Sequence, residues 1–315
     1  MNLGIVGSGD IVSGMIPLFK TVDRINCCSL CCRKMSFERG KTLVAKYGIP
    51  SIYTNLEQFL KDENIDTVYV AVINQYHYEI VKKALDSGKN VICEKPFTTT
   101  LSEGIELVNI AKKNKLLLYE MSRSVHTKNF EKIKSNISKL GKIRMVTSNL
   151  CHYSRRYKDY LHGEISYVFD PKYGGALADF GIYSLHYMVG LFGKPSHYSY
   201  ESILGYNGVD LSGVLSLTYS DFVSINTISK CSNGRPYCCI QGENGYLYCD
   251  SSPMFCEKAE LVLNDGTRQI ICEDADRRDE MIYLEKAIGN KNYDDCEKSM
   301  EETLTCIEII EGCKR

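Results

Sequence analysis

Several features that mark large classes of proteins are missing from this sequence of 315 residues. No apolar stretch approaches the ~20 residues of a transmembrane helix, so we expect no membrane association. Neither charge sign is in excess, because 38 Lys and Arg residues balance 39 Asp and Glu residues. A nucleic-acid groove needs a basic patch, and no basic run occurs, so nucleic acid is not an expected partner. No basic segment opens the chain, so we expect no signal peptide and a cytoplasmic location.

Cysteine, by contrast, is abundant, and four of the fifteen cysteines lie in the segment 27–32. A structural zinc site would need a second pair of ligands ~15 residues further on. Residues 33–60 contain neither Cys nor His. We therefore interpret Cys27, Cys28, Cys31 and Cys32 as small, reduced, buried side chains on a strand, and we expect no metal. A metal or redox role for this cluster is the weaker alternative.

Two domains are expected, because 315 residues exceed the size of one ordinary hydrophobic core. In residues 1–121, short apolar runs alternate with helical patterns, which indicates a doubly wound parallel sheet, the Rossmann fold. In residues 122–315, apolar and polar residues alternate at period two between turn-forming segments. This second pattern predicts an α+β domain with an open, mostly antiparallel sheet.

The first turn of the chain carries a dinucleotide-binding pattern. Gly7, Ser8, Gly9, Asp10 and Ile11 follow the first predicted strand and open the first predicted helix. The first glycine permits a tight turn, and the second lets backbone amides approach a pyrophosphate at the positive end of the helix. The third position of the pattern, usually Gly or Ala, is occupied by valine here; it serves helix–strand packing rather than phosphate contact.

The end of the second strand favours NADP(H), although NAD(H) remains possible. An NAD-binding protein usually places a carboxylate there for the ribose 2′-hydroxyl. This sequence instead has Arg33 and Lys34. Two cations suit a 2′-phosphate, and the guanidinium group can bind it in a bidentate way. A solvated basic turn is the alternative interpretation.

Three further motifs make the chain resemble the Gfo/Idh/MocA family, which includes glucose–fructose oxidoreductase, inositol dehydrogenase and dimeric dihydrodiol dehydrogenase. They are Asn74-Gln75-Tyr76-His77, Glu94-Lys95-Pro96 and the block of residues 174–183 from Gly174 to Tyr183. The resemblance implies an N-terminal Rossmann domain, a C-terminal sheet domain and a substrate pocket between them. It also implies a homodimer or homotetramer built through the C-terminal sheet. Tyr183 places the sequence in the tyrosine branch of the family.

The chemistry of alcohol oxidation agrees with this resemblance. A base must take the hydroxyl proton while hydride leaves carbon for the nicotinamide. Tyr183 is the expected proton donor and acceptor, and Lys95 is expected to stabilise developing negative charge. Asp179, Tyr183 and His186 are spaced four and three apart, so one helical face would present all three. Asp179 would then orient Lys95 or bind substrate hydroxyls, with His186 as a candidate pocket residue.

The remaining candidates come from strand ends and one loop. Asn74 and His77 are expected beside the nicotinamide ribose, although His77 could equally satisfy a backbone carbonyl. Glu94 and Lys95 end a strand at the edge where such folds bind ligands, and both are candidate cofactor contacts. Tyr153 and Arg156 belong to a loop rich in rings and cations, which fits either a substrate pocket or a subunit interface.

The sequence thus predicts an NAD(P)-dependent oxidoreductase that prefers NADP(H) and acts on a carbinol or carbonyl of a small sugar, polyol or cyclic diol. Two alternatives remain open: a redox-assisted glycosidase that retains its cofactor, and a non-catalytic NAD(P)-binding regulator.

Overall fold

The computed structural model describes residues 1–314, which form two compact units. The first unit comprises Met1–Met121 and Arg277–Ile307, and the second comprises Ser122–Asp276 and the residues from Glu308 onward. The strands, in chain order, are β1 (Asn2–Val6), β2 (Asn26–Cys31), β3 (Ser51–Tyr53), β4 (Thr67–Val70), β5 (Asn90–Glu94), β6 (Leu118–Met121), β7 (Ile143–Cys151), β8 (His197–Leu204), β9 (Asp210–Thr218), β10 (Val223–Ser229), β11 (Tyr237–Gly242), β12 (Gly245–Cys249), β13 (Ala259–Leu263) and β14 (Arg268–Cys272). The α-helices are α1 (Asp10–Lys20), α2 (Phe37–Tyr47), α3 (Leu56–Leu60), α4 (His77–Asp86), α5 (Leu101–Asn114), α6 (Lys128–Asn136), α7 (Tyr157–Leu161), α8 (Ile182–Phe192), α9 (Asp279–Gly289) and α10 (Tyr293–Cys313).

The first unit contains a six-stranded parallel sheet in the order β3-β2-β1-β4-β5-β6. Its central strands are continuous apolar runs, and every residue of β4 is buried, because helices cover both faces of such a sheet. The strand order reverses between β1 and β4, where doubly wound sheets bind nucleotides at the carboxyl ends of their strands. The predicted Rossmann fold is confirmed.

The structure divides the chain differently from the predicted boundary, because residues 277–307 belong to the first unit. The Asp295 carboxylate in α10 accepts a hydrogen bond of 2.9 Å from the hydroxyl of Tyr119 on β6. About two turns further along, Thr303 donates to the carboxylate of Glu120 at 2.9 Å. The apolar side chains Met281 and Leu284 of α9 join the core of this unit. The second unit therefore comprises 122–276 with the end of α10, rather than all of 122–315.

The second unit is built on an eight-stranded mixed sheet in the order β14-β13-β12-β11-β7-β10-β9-β8. The β7–β10 pair is parallel, and the other neighbouring pairs are antiparallel. Buried and more exposed residues alternate along β7 and β9, as expected for a sheet covered on one face. Residues 182–190 of α8 are all buried, which is typical of a helix that is apolar on every side. The predicted α+β architecture is confirmed.

Within residues 1–314, no helix is both long enough and apolar enough to cross a membrane.

Candidate functional site

The turn between β1 and α1 is held by a close approach of neighbouring strands. Gly7 has a φ of +126°, and a Cβ atom there would lie 2.2 Å from the carbonyl oxygen of Ala71, just beyond β4. The Gly7 amide donates to the carbonyl oxygen of Cys31 at 2.9 Å. Both the backbone conformation and the lack of space require glycine at this position.

Gly9, unlike Gly7, is surrounded by open space. It is the N-cap of α1, its backbone is extended with a φ of −76°, and no side chain caps the helix there. A Cβ atom on Gly9 would meet no atom within 4 Å. The amide-bearing end of α1 therefore opens into free space, and this cradle fits the pyrophosphate of a dinucleotide.

The other positions of the pattern divide between packing and exposure. Val12, at the third position, is fully buried, and one of its methyl groups would lie 3.2 Å from a Cβ on Gly7. Valine thus serves packing there, as expected. Ser8 is buried, while the side chains of Asp10 and Ile11 are exposed. The Asp10 carboxylate accepts a hydrogen bond of 2.5 Å from Arg39 of α2, a contact that spacing alone could not indicate.

The end of β2 presents cations and no acid. Cys32 is buried, whereas Arg33 and Lys34 are exposed at the start of the 3₁₀ turn Lys34–Ser36. Gly7 is hydrogen-bonded to the end of the same strand. The two cations are thus available to a phosphate group at the strand edge where the dinucleotide pattern lies.

The structure corrects the expected role of His77, whose ring lies in the interior. The residue has no exposed surface; its Nδ1 lies 2.9 Å from the carbonyl oxygen of Pro96 and its Nε2 lies 3.1 Å from that of Val72. Burial lowers the pKa of His77, because the charged imidazolium is disfavoured away from water. Both ring nitrogens thus face backbone carbonyl oxygens of the segments that follow β4 and β5, and the neutral ring can donate to one of them. This geometry fits the alternative that His77 satisfies a backbone carbonyl. Asn74 is half-buried at the start of the preceding 3₁₀ turn.

At the end of β5, Glu94 and Lys95 are placed differently. Glu94 is buried, and its Oε1 accepts a hydrogen bond of 2.6 Å from the hydroxyl of Tyr69. Lys95 is half-buried, and the peptide bond to Pro96 is cis. Of these two candidate cofactor contacts, Lys95 has the more accessible side chain.

In the second unit, Gly175 of the 174–183 block makes room for the carboxylate of Asp210. Gly175 has a φ of +98°, and a Cβ there would lie 1.7 Å from Oδ1 of Asp210. Asp210 accepts hydrogen bonds from the Leu177 amide at 2.7 Å and from the Tyr200 hydroxyl at 2.9 Å. Burial raises the pKa of Asp210 in spite of these donors. The glycine motif thus has a structural cause on β9 that the sequence analysis missed.

Asp179 lies in a different kind of helical turn from Tyr183 and His186. Residues 177–181 form a π-helical turn, and α8 begins only at Ile182. In a π turn the backbone hydrogen bonds link residues five apart rather than four, so Asp179 lies outside the regular α-helical turns that contain Tyr183 and His186. Tyr183 and His186 are both 3% exposed. The Arg123 guanidinium lies 5.9 Å from the centre of the Tyr183 ring.

Asp179 and Phe180 are the two residues between Gly174 and Gly190 that are not buried. The Asp179 carboxylate forms a short ion pair with the ammonium group of Lys230, which follows β10. Sequence analysis missed Lys230, because 51 residues separate it from Asp179 and no motif surrounds it. The contact with Lys230 is thus an addition to the two roles predicted for Asp179, which were to orient Lys95 or to bind substrate hydroxyls; both stay predictions.

The loop that contains Tyr153 and Arg156 divides into exposed and packed side chains. Tyr153 and Arg156 are exposed. Tyr160 is buried and stacks on Phe169 with ring centres 4.8 Å apart and on Tyr206 at 4.5 Å. Part of the aromatic content of the loop therefore forms a small core of its own.

The cysteines at 27, 28, 31 and 32 are buried on and beside β2, as expected. Burial raises the pKa of Cys27 to about 11 and that of Cys31 to about 12. Among residues 1–314, no cluster of three or more His, Cys, Asp or Glu side chains has the arrangement of a metal site.

Comparison with known proteins agrees with this geometry. A family model described as "Oxidoreductase family, NAD-binding Rossmann fold" (GFO_IDH_MocA) matches residues 1–121. The chain is 30% identical over 285 residues to scyllo-inositol 2-dehydrogenase (NADP⁺) of Bacillus subtilis. The aligned residues cover 89% of this chain and 86% of that protein. It is 26% identical over 221 residues to trans-1,2-dihydrobenzene-1,2-diol dehydrogenase of Xenopus tropicalis, covering 69% of this chain and 65% of the relative.

Among solved structures, a 3-ketoreductase from Actinomadura kijaniata, in complex with TDP-benzene and NADP, has the same fold. Its TM-score is 0.83 at 18% identity, and the match covers 99% of this chain and 96% of that one.

Proposed function

Because the chain belongs to the Gfo/Idh/MocA oxidoreductase family, and is therefore an NAD(P)-dependent dehydrogenase or reductase, we propose that it prefers NADP(H) and acts on a small polyol, sugar or cyclic diol. One observation carries the cofactor preference: Arg33 and Lys34 are exposed at the end of β2, and no carboxylate accompanies them. The NADP⁺ dependence of the Bacillus subtilis relative supports the same choice.

The substrate class follows from chemistry that the named relatives share. One acts on an inositol, and another acts on a cyclic trans-diol. Both substrates are small, uncharged rings that carry neighbouring hydroxyl groups. We therefore propose that the substrate of this protein carries a reacting carbinol next to a second hydroxyl group.

Three side chains of this protein have roles in the proposed reaction. The nicotinamide, when bound, accepts or donates the hydride. Tyr183 exchanges the hydroxyl proton through its phenol oxygen, and the Lys95 ammonium stabilises negative charge on the reacting oxygen. Asp179 accepts a hydrogen bond from a substrate hydroxyl and so orients the carbinol.

Cofactor preference is tested by titrating the protein with NADPH and NADH in parallel, following nicotinamide fluorescence. Arg33→Ser is expected to weaken NADPH binding about 10- to 100-fold, because a charged hydrogen bond to the 2′-phosphate is lost, and to change NADH binding little. Arg24→Ser is the matched control, because Arg24 is an exposed cation that precedes β2 rather than following it. Equal binding of both cofactors by the unmodified chain would overturn the preference and leave the family assignment intact.

The catalytic roles are tested on the best substrate from a panel of polyols and diols. Tyr183→Phe and Lys95→Met are each expected to lower kcat at least ~100-fold while NADPH still binds. Tyr187→Phe is the control, because this buried tyrosine lies one turn further along α8. Glycoside cleavage without net cofactor turnover would favour a redox-assisted glycosidase. NADPH binding without any turnover would favour a regulator.

For the assembly, we propose a homodimer or homotetramer through the outer face of the second unit's sheet. This face exposes apolar side chains that the strand register places on one side, namely Met145, Val214, Val223, Tyr246 and Ile270. An exposed apolar patch of this kind marks an interaction surface. Sedimentation equilibrium tests it: the unmodified chain is expected to be oligomeric, and Met145→Glu with Val223→Glu to be monomeric.

A further inference from the structure

Lys230 is a charged residue in a fully enclosed position. Its side chain has no exposed surface, and its ammonium group lies 5.1 Å from the ring centre of Phe169 and 5.0 Å from that of Phe180. Its backbone is fixed on two sides, because the Lys230 amide donates to Leu211 and the Lys230 carbonyl accepts from Ser154, both at 2.8 Å. An enclosed ammonium ion is stable only with an anion in contact, and Asp179 provides that anion.

The ion pair is asymmetric. The Lys230 side chain is completely buried, whereas the Asp179 side chain is 24% exposed. Asp179 also lies in the one stretch of the 174–190 segment that is not buried. A ligand can therefore reach the carboxylate but not the ammonium group behind it.

We propose that Lys230 is a positioning residue, which holds the Asp179 carboxylate ionised and fixed in direction so that it accepts a hydrogen bond from a substrate hydroxyl. This inference rests on the proposed function, because it concerns how the carbinol is oriented. The two phenylalanine rings assist, since ring faces attract the cation and exclude water from it.

Two physical consequences follow from this arrangement. A carboxylate neutralised by its own buried cation can meet an uncharged polyol without leaving an unbalanced charge when water is excluded. A carboxylate with one oxygen bound to a rigid donor also has fewer orientations, which lowers the entropic cost of aligning the substrate. In this proposal, Lys230 acts on the reaction through Asp179.

A double-mutant cycle distinguishes this role from simple structural support. Lys230→Met keeps the length of the side chain and removes its charge; we expect kcat/KM to fall about 10- to 100-fold, with NADPH affinity within about twofold of the unmodified chain. Asp179→Asn is expected to lower kcat/KM at least as far. The double variant is then expected to match Asp179→Asn alone, because the proposal routes the effect of the lysine through the Asp179 carboxylate.

Leu247→Ala is the matched control, because Leu247 is a fully buried residue of β12 in the same unit. It is expected to lower the melting temperature, to keep kcat/KM near that of the unmodified chain, and to combine multiplicatively with Asp179→Asn. Asp179→Glu serves in the cycle if the asparagine variant has no measurable turnover.

The inference is overturned if Lys230→Met keeps kcat/KM within twofold of the unmodified chain, or if its effect multiplies with that of Asp179→Asn. A lack of turnover by the unmodified chain across the substrate panel refutes the proposed function, and this inference with it. The two failures are distinguished by the activity of the unmodified chain.

Discussion

Replacing Gly9 by alanine separates dinucleotide binding from folding. The backbone of Gly9 is extended, so alanine can adopt it without strain, and the added Cβ meets no protein atom within 4 Å. Because alanine is a poorer N-cap than glycine, we expect a small loss in the free energy of unfolding, about 1 kcal/mol or less. The same Cβ would occupy the space that a pyrophosphate must enter. Loss of a single charged hydrogen bond costs about 1.5–3 kcal/mol, so NADPH affinity is expected to fall about 10- to 100-fold.

Gly7→Ala is the contrasting variant. Its Cβ would lie 2.2 Å from the Ala71 carbonyl oxygen, and its φ of +126° is strained for any L-residue with a side chain. Overpacking and backbone strain each cost about 1–3 kcal/mol, so the loss appears in the free energy of unfolding itself.

The assay pairs urea unfolding with NADPH fluorescence titration for both variants. Gly9→Ala should unfold at nearly the urea concentration of the unmodified chain and bind NADPH weakly, whereas Gly7→Ala should unfold at a clearly lower concentration. The reasoning is refuted if Gly9→Ala binds NADPH with unchanged affinity, because the open space at the start of α1 would then not be the pyrophosphate site.

Two further outcomes are expected. Gly175→Ala should destabilise the protein by about 3 kcal/mol or more, measured by urea unfolding, because its Cβ would displace the Asp210 carboxylate from two donors; unchanged stability would contradict this account. The thiols of Cys27 and Cys31, with pKa values raised to about 11 and about 12, should resist iodoacetamide at pH 8 in the folded protein and react after unfolding. Mass spectrometry of digested protein measures both states, and rapid labelling of the folded protein would show that these thiols are more accessible than the structure indicates.

The sequence was sufficient for features that rest on local pattern. The alternation of strands and helices predicted the parallel sheet, and the glycines after β1 predicted the turn that opens α1. Both arise from neighbours within about 30 residues, where periodicity and turn chemistry act directly.

Features that rest on distant contacts were not predictable in this way. The helices of residues 277–307 join the first unit through side chains such as Asp295, which reaches Tyr119 across 176 positions. Lys230 reaches Asp179 across 51 positions, from a strand end that carries no motif. The π-helical turn at 177–181 also has no periodic signature, and it occupies a segment in which helical spacing predicted a regular α-helix through Asp179.

The glycines show why a motif and its cause must be distinguished. In the sequence, Gly7, Gly9 and Gly175 are all glycines of a motif. Gly7 and Gly175, however, are each required by an oxygen atom of the protein itself: the Ala71 carbonyl oxygen for Gly7 and Oδ1 of Asp210 for Gly175. Gly9 has no such neighbour among residues 1–314 and an ordinary backbone, so nothing in this part of the chain requires glycine there. A glycine that the fold does not require, at the open end of a helix, is best explained by a ligand that must approach the backbone. The same reasoning underlies our proposal for Asp179: its half-buried carboxylate is accessible, whereas the ammonium group of Lys230 is wholly buried.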